Sequence, residues 1–163
     1  MGMLGNAFEA FINATASAVA KSLIPQAQAS EHIERLCQEL GWSIDERNGE
    51  GVVLYFNDPA IGVRKVLVTE GAKVMLISTF SGAVVPAARL PVEVMGYLLT
   101  RNTQLAAAAW QASVMDNDGS VKFALAYYAL VAGLDATAFK VICEAMVKEA
   151  HEFDVKMKAA GLM

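Results

Sequence analysis

One stretch limits the possible folds more than any other: residues 106–133, AAAAWQASVMDNDGSVKFALAYYALVAG. It reads as a long β-hairpin closed by Asp116-Asn117-Asp118-Gly119. A loop of even length pairs Val114 with Val121, Ala112 with Phe123, Trp110 with Leu125 and Ala108 with Tyr127. Strand side chains alternate between faces, so these pairs all fall on one side of the sheet. A loop of odd length would put Lys122 among the apolar partners, so the pattern itself selects two or four residues. Gly119 suits the left-handed position at the loop's end, where a side chain would clash.

The other face of the hairpin pairs Ser113 with Lys122, Gln111 with Ala124, Ala109 with Ala126 and Ala107 with Tyr128. It is apolar but nearly smooth, and large core partners belong opposite, beside Trp110, Phe123 and Leu125. An element with a matching apolar stripe lies at the start of the chain. Residues 3–24 place Leu4, Phe8, Phe11, Ile12, Thr15, Val19 and Leu23 at helical spacing. This extra amphipathic helix is expected to cover the alanine face, in its own subunit or across a dimer, with Phe8, Phe11 and Ile12 against Ala109 and Ala126.

Pro25 then opens a second helix to Leu40, with Ile33, Leu36, Cys37 and Leu40 buried and Gly41 as its stop. From Trp42 the period changes to two. Trp42-Ser43-Ile44 is expected as a short strand, followed by a turn at 47–51 and by strands at 52–56, 64–69 and 73–80. In the last of these, Val74 and Leu76 point one way and Met75 and Ile77 the other. Both sets are apolar, which predicts cover on both faces and makes Met75 and Ile77 candidates for a subunit interface. Residues 81–90 lead to Pro91 and a helix carrying Val92, Met95, Leu98, Leu99 and Asn102. After the hairpin, Leu134-Asp135 has the form of a hydrophobic staple and N-cap for a terminal helix, with Phe139 packed on the leucine. The buried stripe of that helix is Phe139, Ile142, Met146, Phe153 and Met157. The order α-α-β-β-β-β-α-β-β-α, without repeat or linker, describes one α+β domain over 1–163 with a mostly antiparallel sheet.

Leu40-Gly41-Trp42 entering the sheet, Leu90-Pro91 entering the middle helix, Leu98-Leu99 with Asn102, the Asp118-Gly119 turn and the Leu134-Asp135 helix start resemble the YbjN family. Members of that family are labelled bacterial sensory transduction regulators, and their fold is similar to that of type III secretion chaperones. The likeness spans about 30–159, and the helix before Pro25 departs from the minimal pattern. The resemblance implies a homodimeric protein-binding or regulatory module, and it carries over no catalytic residue.

Apolar residues make up 55% of the 163 and charged ones 18%, which leaves too little polar surface to wet every face. The net charge of −4 gives no basic field for nucleic acid. No run reaches the roughly 20 apolar residues of a membrane span. No lysine or arginine precedes Lys21, and Asn6, Glu9 and Asn13 interrupt the first apolar run, so a secretory signal is not expected and a cytoplasmic location is. Cys37 and Cys143 occupy helical stripes without metal spacing and are expected as buried free thiols.

The polar constellations favour structural readings. His151-Glu152-Phe153-Asp154 lacks the second histidine of a zinc helix and is assigned to a solvated face. His32 with Glu31 and Glu34 fits an exposed first turn. Asp116 to Gly119 would need a glutamate where Tyr127 stands to form a calcium loop. Cys143 and His151 lie two helical turns apart, too far to act as nucleophile and base. Gly49-Glu50-Gly51 has no helix or lysine behind it to make a phosphate loop. Arg64, Lys65 and Lys73 read as edge-strand charges, and Tyr127 and Tyr128 point to opposite faces. No cofactor or metal is implied. The expected function is noncatalytic: a chaperone-like or adaptor homodimer binding a polypeptide or regulatory protein. The alternative is a sensory module binding a small molecule.

Overall fold

The computed structural model describes residues 29–48, 51–71, 73–115 and 118–163. The first helix expected from the sequence, with Phe8, Phe11 and Ile12, lies outside the described residues. The next, α1, is described over Ala29–Leu40. Its end is fixed by Gly41 at φ 68°, with Trp42 N–H donating to Cys37 O and Gly41 N–H to Gln38 O. That paired closure is the Schellman arrangement. It consumes the Trp42 backbone, and Trp42-Ser43-Ile44 is therefore not the short strand its alternation suggests. The first strand, β1, comes later, at Glu46–Asn48.

Strands β2 (Gly51–Asp58), β3 (Gly62–Glu70) and β4 (Val74–Pro86) follow as an antiparallel meander. Gly51 is required where it stands, because a Cβ there would lie 2.2 Å from Val68 O. β4 runs six residues past the expected Phe80. Three residues, Ser81 to Ala83, stand opposite the single Phe123, after which Val84 pairs with Lys122 and Val85 with Val121. This bulge breaks the alternation that a sequence reader follows. Helix α2 (Val92–Asn102) comes next, then β5 (Ala108–Val114), β6 (Ser120–Leu130) and helix α3 (Ala136–Ala159).

The hairpin register is the one the sequence dictates: Val114 with Val121, Ala112 with Phe123, Trp110 with Leu125, Ala108 with Tyr127. Met115 and Ser120 close it, and Gly119 has φ 64°. Ala107 precedes the strand, so the outermost expected pair, with Tyr128, is absent from the ladder. Asp135 caps α3 by accepting from Ala138 N–H at 2.7 Å, with Leu134 and Phe139 both buried.

The six strands lie in the order β1-β2-β3-β4-β6-β5. α1 and α3 contact each other and the middle of the sheet, and α2 contacts β5. All three cover one face, where Leu54, Val66, Thr79, Leu125 and Trp110 follow one another across paired strands. Phe153 on α3 joins the layers, 4.6 Å from the Trp110 ring and 5.2 Å from Phe123. Met75 and Ile77 belong to this core at 0% exposure. They are sealed beneath helices of their own chain, so they present no surface to a second subunit. Cys37 and Cys143 are free and buried there too.

Candidate binding surfaces

The opposite face of the sheet carries none of the described helices. Across it Val53, Leu67, Ser78, Ala126 and Ala109 form one transverse row, and Thr69, Leu76 and Tyr128 another. Ala126 and Ser78 are buried in its middle. Around them Phe80, Val84, Tyr128 and Leu130 remain 51%, 50%, 49% and 70% exposed. Over β4, β6 and β5 the outward-facing charge is Lys122 alone. Polar groups gather instead at the β1 end, where the Tyr55 hydroxyl donates to Glu46 and Lys65 lies over the Tyr55 ring. Of the expected interface residues, Ala109 and Ala126 do face each other here.

A second surface is a groove of about 390 Å³ between α3 and the segment joining α2 to β5, with Leu125, Tyr127, Ile142 and Met146 among its apolar lining. Its wall includes a carboxylate that the sequence does not single out. Glu149, buried on α3, accepts from Arg101 Nε at 2.8 Å and Nη2 at 2.5 Å and from Trp110 Nε1 at 3.2 Å. The Arg101 hydrogen bonds hold its carboxyl below the usual glutamate range against the opposing effect of burial. Next to it, Asn102 clamps the outer side of β5. Its Oδ1 accepts from Trp110 N–H at 2.6 Å while its Nδ2 donates to Trp110 O at 3.1 Å.

Asp154 is a further buried carboxylate, not part of a solvated face. It accepts from Arg64 Nη1 at 2.5 Å, from the Ser81 hydroxyl and from Gly82 N–H at 3.1 Å. It thereby pins the β4 bulge to α3. Its partner Arg64 points to the helix face and Lys65 to the open face, and β3 is an interior strand, so these two are not the edge-strand charges expected from the sequence. Both buried carboxylates are engaged by structural donors. His32 Nδ1 is 2.9 Å from Arg35, and burial first, then Arg35, lowers its pKa. Asp118 accepts from Ser120 N–H as a turn residue. Among the described residues no group of three His, Cys, Asp or Glu is placed to hold a metal. None of the described helices is long and apolar enough to cross a membrane.

A one-layer helical cover on a six-stranded antiparallel sheet defines an α+β fold whose second face carries none of the described helices. That fold is YbjN-like. YbjN of E. coli, described as a proposed transcription regulator, superposes with a TM-score of 0.58 at 14% identity, over 80% of this chain and 91% of that one. An uncharacterized protein from Methanothermobacter thermautotrophicus gives 0.54 at 14% identity, over 82% and 98%. No family model and no curated protein sequence matches the chain.

Proposed function

We propose that the chain is a noncatalytic binding module, chaperone-like or adaptor in type, that takes an apolar polypeptide segment on the open face of its sheet. The observation behind this reading is the contiguous apolar surface around Ala126, rimmed by Phe80, Val84, Tyr128 and Leu130. Exposed apolar patches of this kind mark protein contacts. A regulatory role like that described for YbjN would then run through protein contact, since a chain of net charge −4 has little attraction for phosphates. The test is capture from native cytoplasmic extract on immobilised chain and on a Phe80→Glu/Tyr128→Glu variant. Polypeptides retained by the first and lost by the second are expected; identical retention overturns the reading.

The groove beside Glu149 supports a second reading, a small-molecule sensor, because it combines an apolar lining with the Arg101–Glu149 pair. Ala145→Trp would fill it. A metabolite that raises the melting temperature of the parent chain but not of this variant would favour that reading.

A further inference from the structure

We propose that the groove beside Glu149 takes a single-chain amphiphile, a straight alkyl tail under an uncharged hydroxyl head. This rests on the small-molecule reading of that groove, and three features of its walls select the ligand.

The first is why the groove is there. After α2 ends, the chain returns to β5 through Leu105, Ala106, Ala107 and Ala108, and Ala145 of α3 lines the same space. Ala108 pairs with Tyr127 on the helix side of the sheet, two residues before Trp110. The Trp110 ring reaches the Phe153 ring at 4.6 Å, whereas the single methyl group of Ala108 leaves the space above Tyr127 open. The result is a trough of about 390 Å³, within the range of small-molecule sites. Its floor is Leu125 and Tyr127 and its long wall Val141, Ile142 and Met146, an apolar strip.

The second is length and direction. Along α3 the lining runs from Val141 to Glu152. The apolar residues come first, and Lys148, Glu149 and Glu152 follow, joined by Arg101 from α2. From Val141 to Glu149 is about 12 Å of helix, which an extended alkyl chain of about nine or ten carbons spans at roughly 1.3 Å per carbon. A tail lies against Ile142 and Met146 with its head level with Glu149.

The third is charge. The polar end holds two cations, Arg101 and Lys148, and two anions, Glu149 and Glu152. Arg101 gives Nε and Nη2 to Glu149 and Nη1 to Gln104 Oε1, which leaves about two of its five N–H groups for a ligand. A ligand carboxylate drawn to these donors meets the Glu149 and Glu152 carboxylates. A ligand ammonium drawn to the carboxylates meets Arg101 and Lys148. A hydroxyl escapes both conflicts, because it donates to a carboxylate and accepts from a guanidinium or ammonium at once. The charge balance therefore selects an uncharged head, and the apolar strip supplies the affinity.

The test is calorimetric titration of the full chain with 1-hexanol, 1-octanol, 1-decanol and 1-dodecanol. Affinity should rise about tenfold for each two carbons up to decanol, as each buried methylene adds its share. It should flatten at dodecanol, whose tail projects past Val141. Near neutral pH, 1-octanol should bind at least tenfold more tightly than octanoate or octylammonium. Ala108→Leu and Ala145→Trp fill the groove from different walls, and each should weaken octanol binding at least tenfold. A thermal melt shows that each variant is folded, and the second guards against loss of the first. Four results overturn the proposal: no alkanol binding, no gain with chain length, a charged head bound as tightly as octanol, or equal affinity in a folded filler variant. The two readings can fail separately. A metabolite of another class that stabilises the parent chain but not Ala145→Trp, in a chain that ignores the alkanols, sinks only this proposal. Alkanols bound as expected in a chain whose melting temperature no metabolite raises sink only the sensor role.

Discussion

Asp154 and Glu149 show what a single residue can and cannot reveal. Their positions on α3 could be read as a solvated helix face. What turns each inward is an arginine far away in sequence: Arg64, 90 residues before Asp154, and Arg101, 48 before Glu149. No local pattern encodes that pairing. The Arg64 and Asp154 side chains are only 13% and 9% exposed, so Asp154→Ala leaves an uncompensated buried guanidinium. The expected loss is about 3 kcal/mol, or about 6–12 °C in melting temperature for a domain of this size. The double replacement Arg64→Met/Asp154→Leu should recover most of it, which thermal unfolding would check.

Glu70 gives the same scale a pH signature. One of its carboxyl oxygens is buried without a partner. Burial pushes its pKa from 4.5 up to about 7, opposed by a contact with the Ile33 backbone. The folded chain then holds a proton more tightly than the unfolded one, so stability falls as pH rises from about 4.5 to about 7. Glu149 behaves oppositely. Its depressed pKa contributes stability that is complete above the unfolded value and lost as pH falls through the folded one. Melting temperature should therefore peak near about pH 5. Glu70→Gln should flatten the decline on the alkaline side and Glu149→Gln the decline on the acid side. Melts from pH 3 to 8 that show no change in either limb would contradict the assignment.

Among the elements, the hairpin was legible because every inward position is large or branched except the two alanines beside Trp110. One register alone keeps Lys122 out of the core. The α3 start was legible for the same local reason, a staple and cap within six residues. The Trp42 strand and the end of β4 were not. In both places a contact outside the alternating pattern takes over, the α1 closure in one and the Asp154-pinned bulge in the other. Asn102 belongs to this scale too. β5 is an edge strand without charge or proline, the kind that pairs with other chains, whereas the opposite edge, β1, is three residues long with Glu46 and Arg47. Asn102 occupies the outward N–H and C=O of Trp110. Asn102→Ala should cost about 1–3 kcal/mol, the penalty for leaving those groups unpaired. It should also produce species larger than the parent chain forms at equal concentration. Light scattering that shows the same mass for both would remove the protective role.

At the scale of the whole molecule, the sequence-level case for a homodimer used Met75 and Ile77 as surface, and the helices of the same chain now account for both. With 55% apolar and 18% charged residues, apolar side chains also crowd the outer sides of the helices: Val92 and Leu99 on α2, Val141 and Val155 on α3, each more than half exposed. These outer residues are apolar surface available for subunit contact. The full chain should then scatter as twice its 17.4 kDa mass at micromolar concentration. Val92→Glu/Leu99→Glu or Val141→Glu/Val155→Glu should shift it toward the monomer, while Phe80→Glu/Tyr128→Glu should leave the dimer intact. A monomer across the micromolar range would end the dimer expectation. A dimer broken only by the Phe80 and Tyr128 replacements would instead place a second copy on the sheet face opposite the helices.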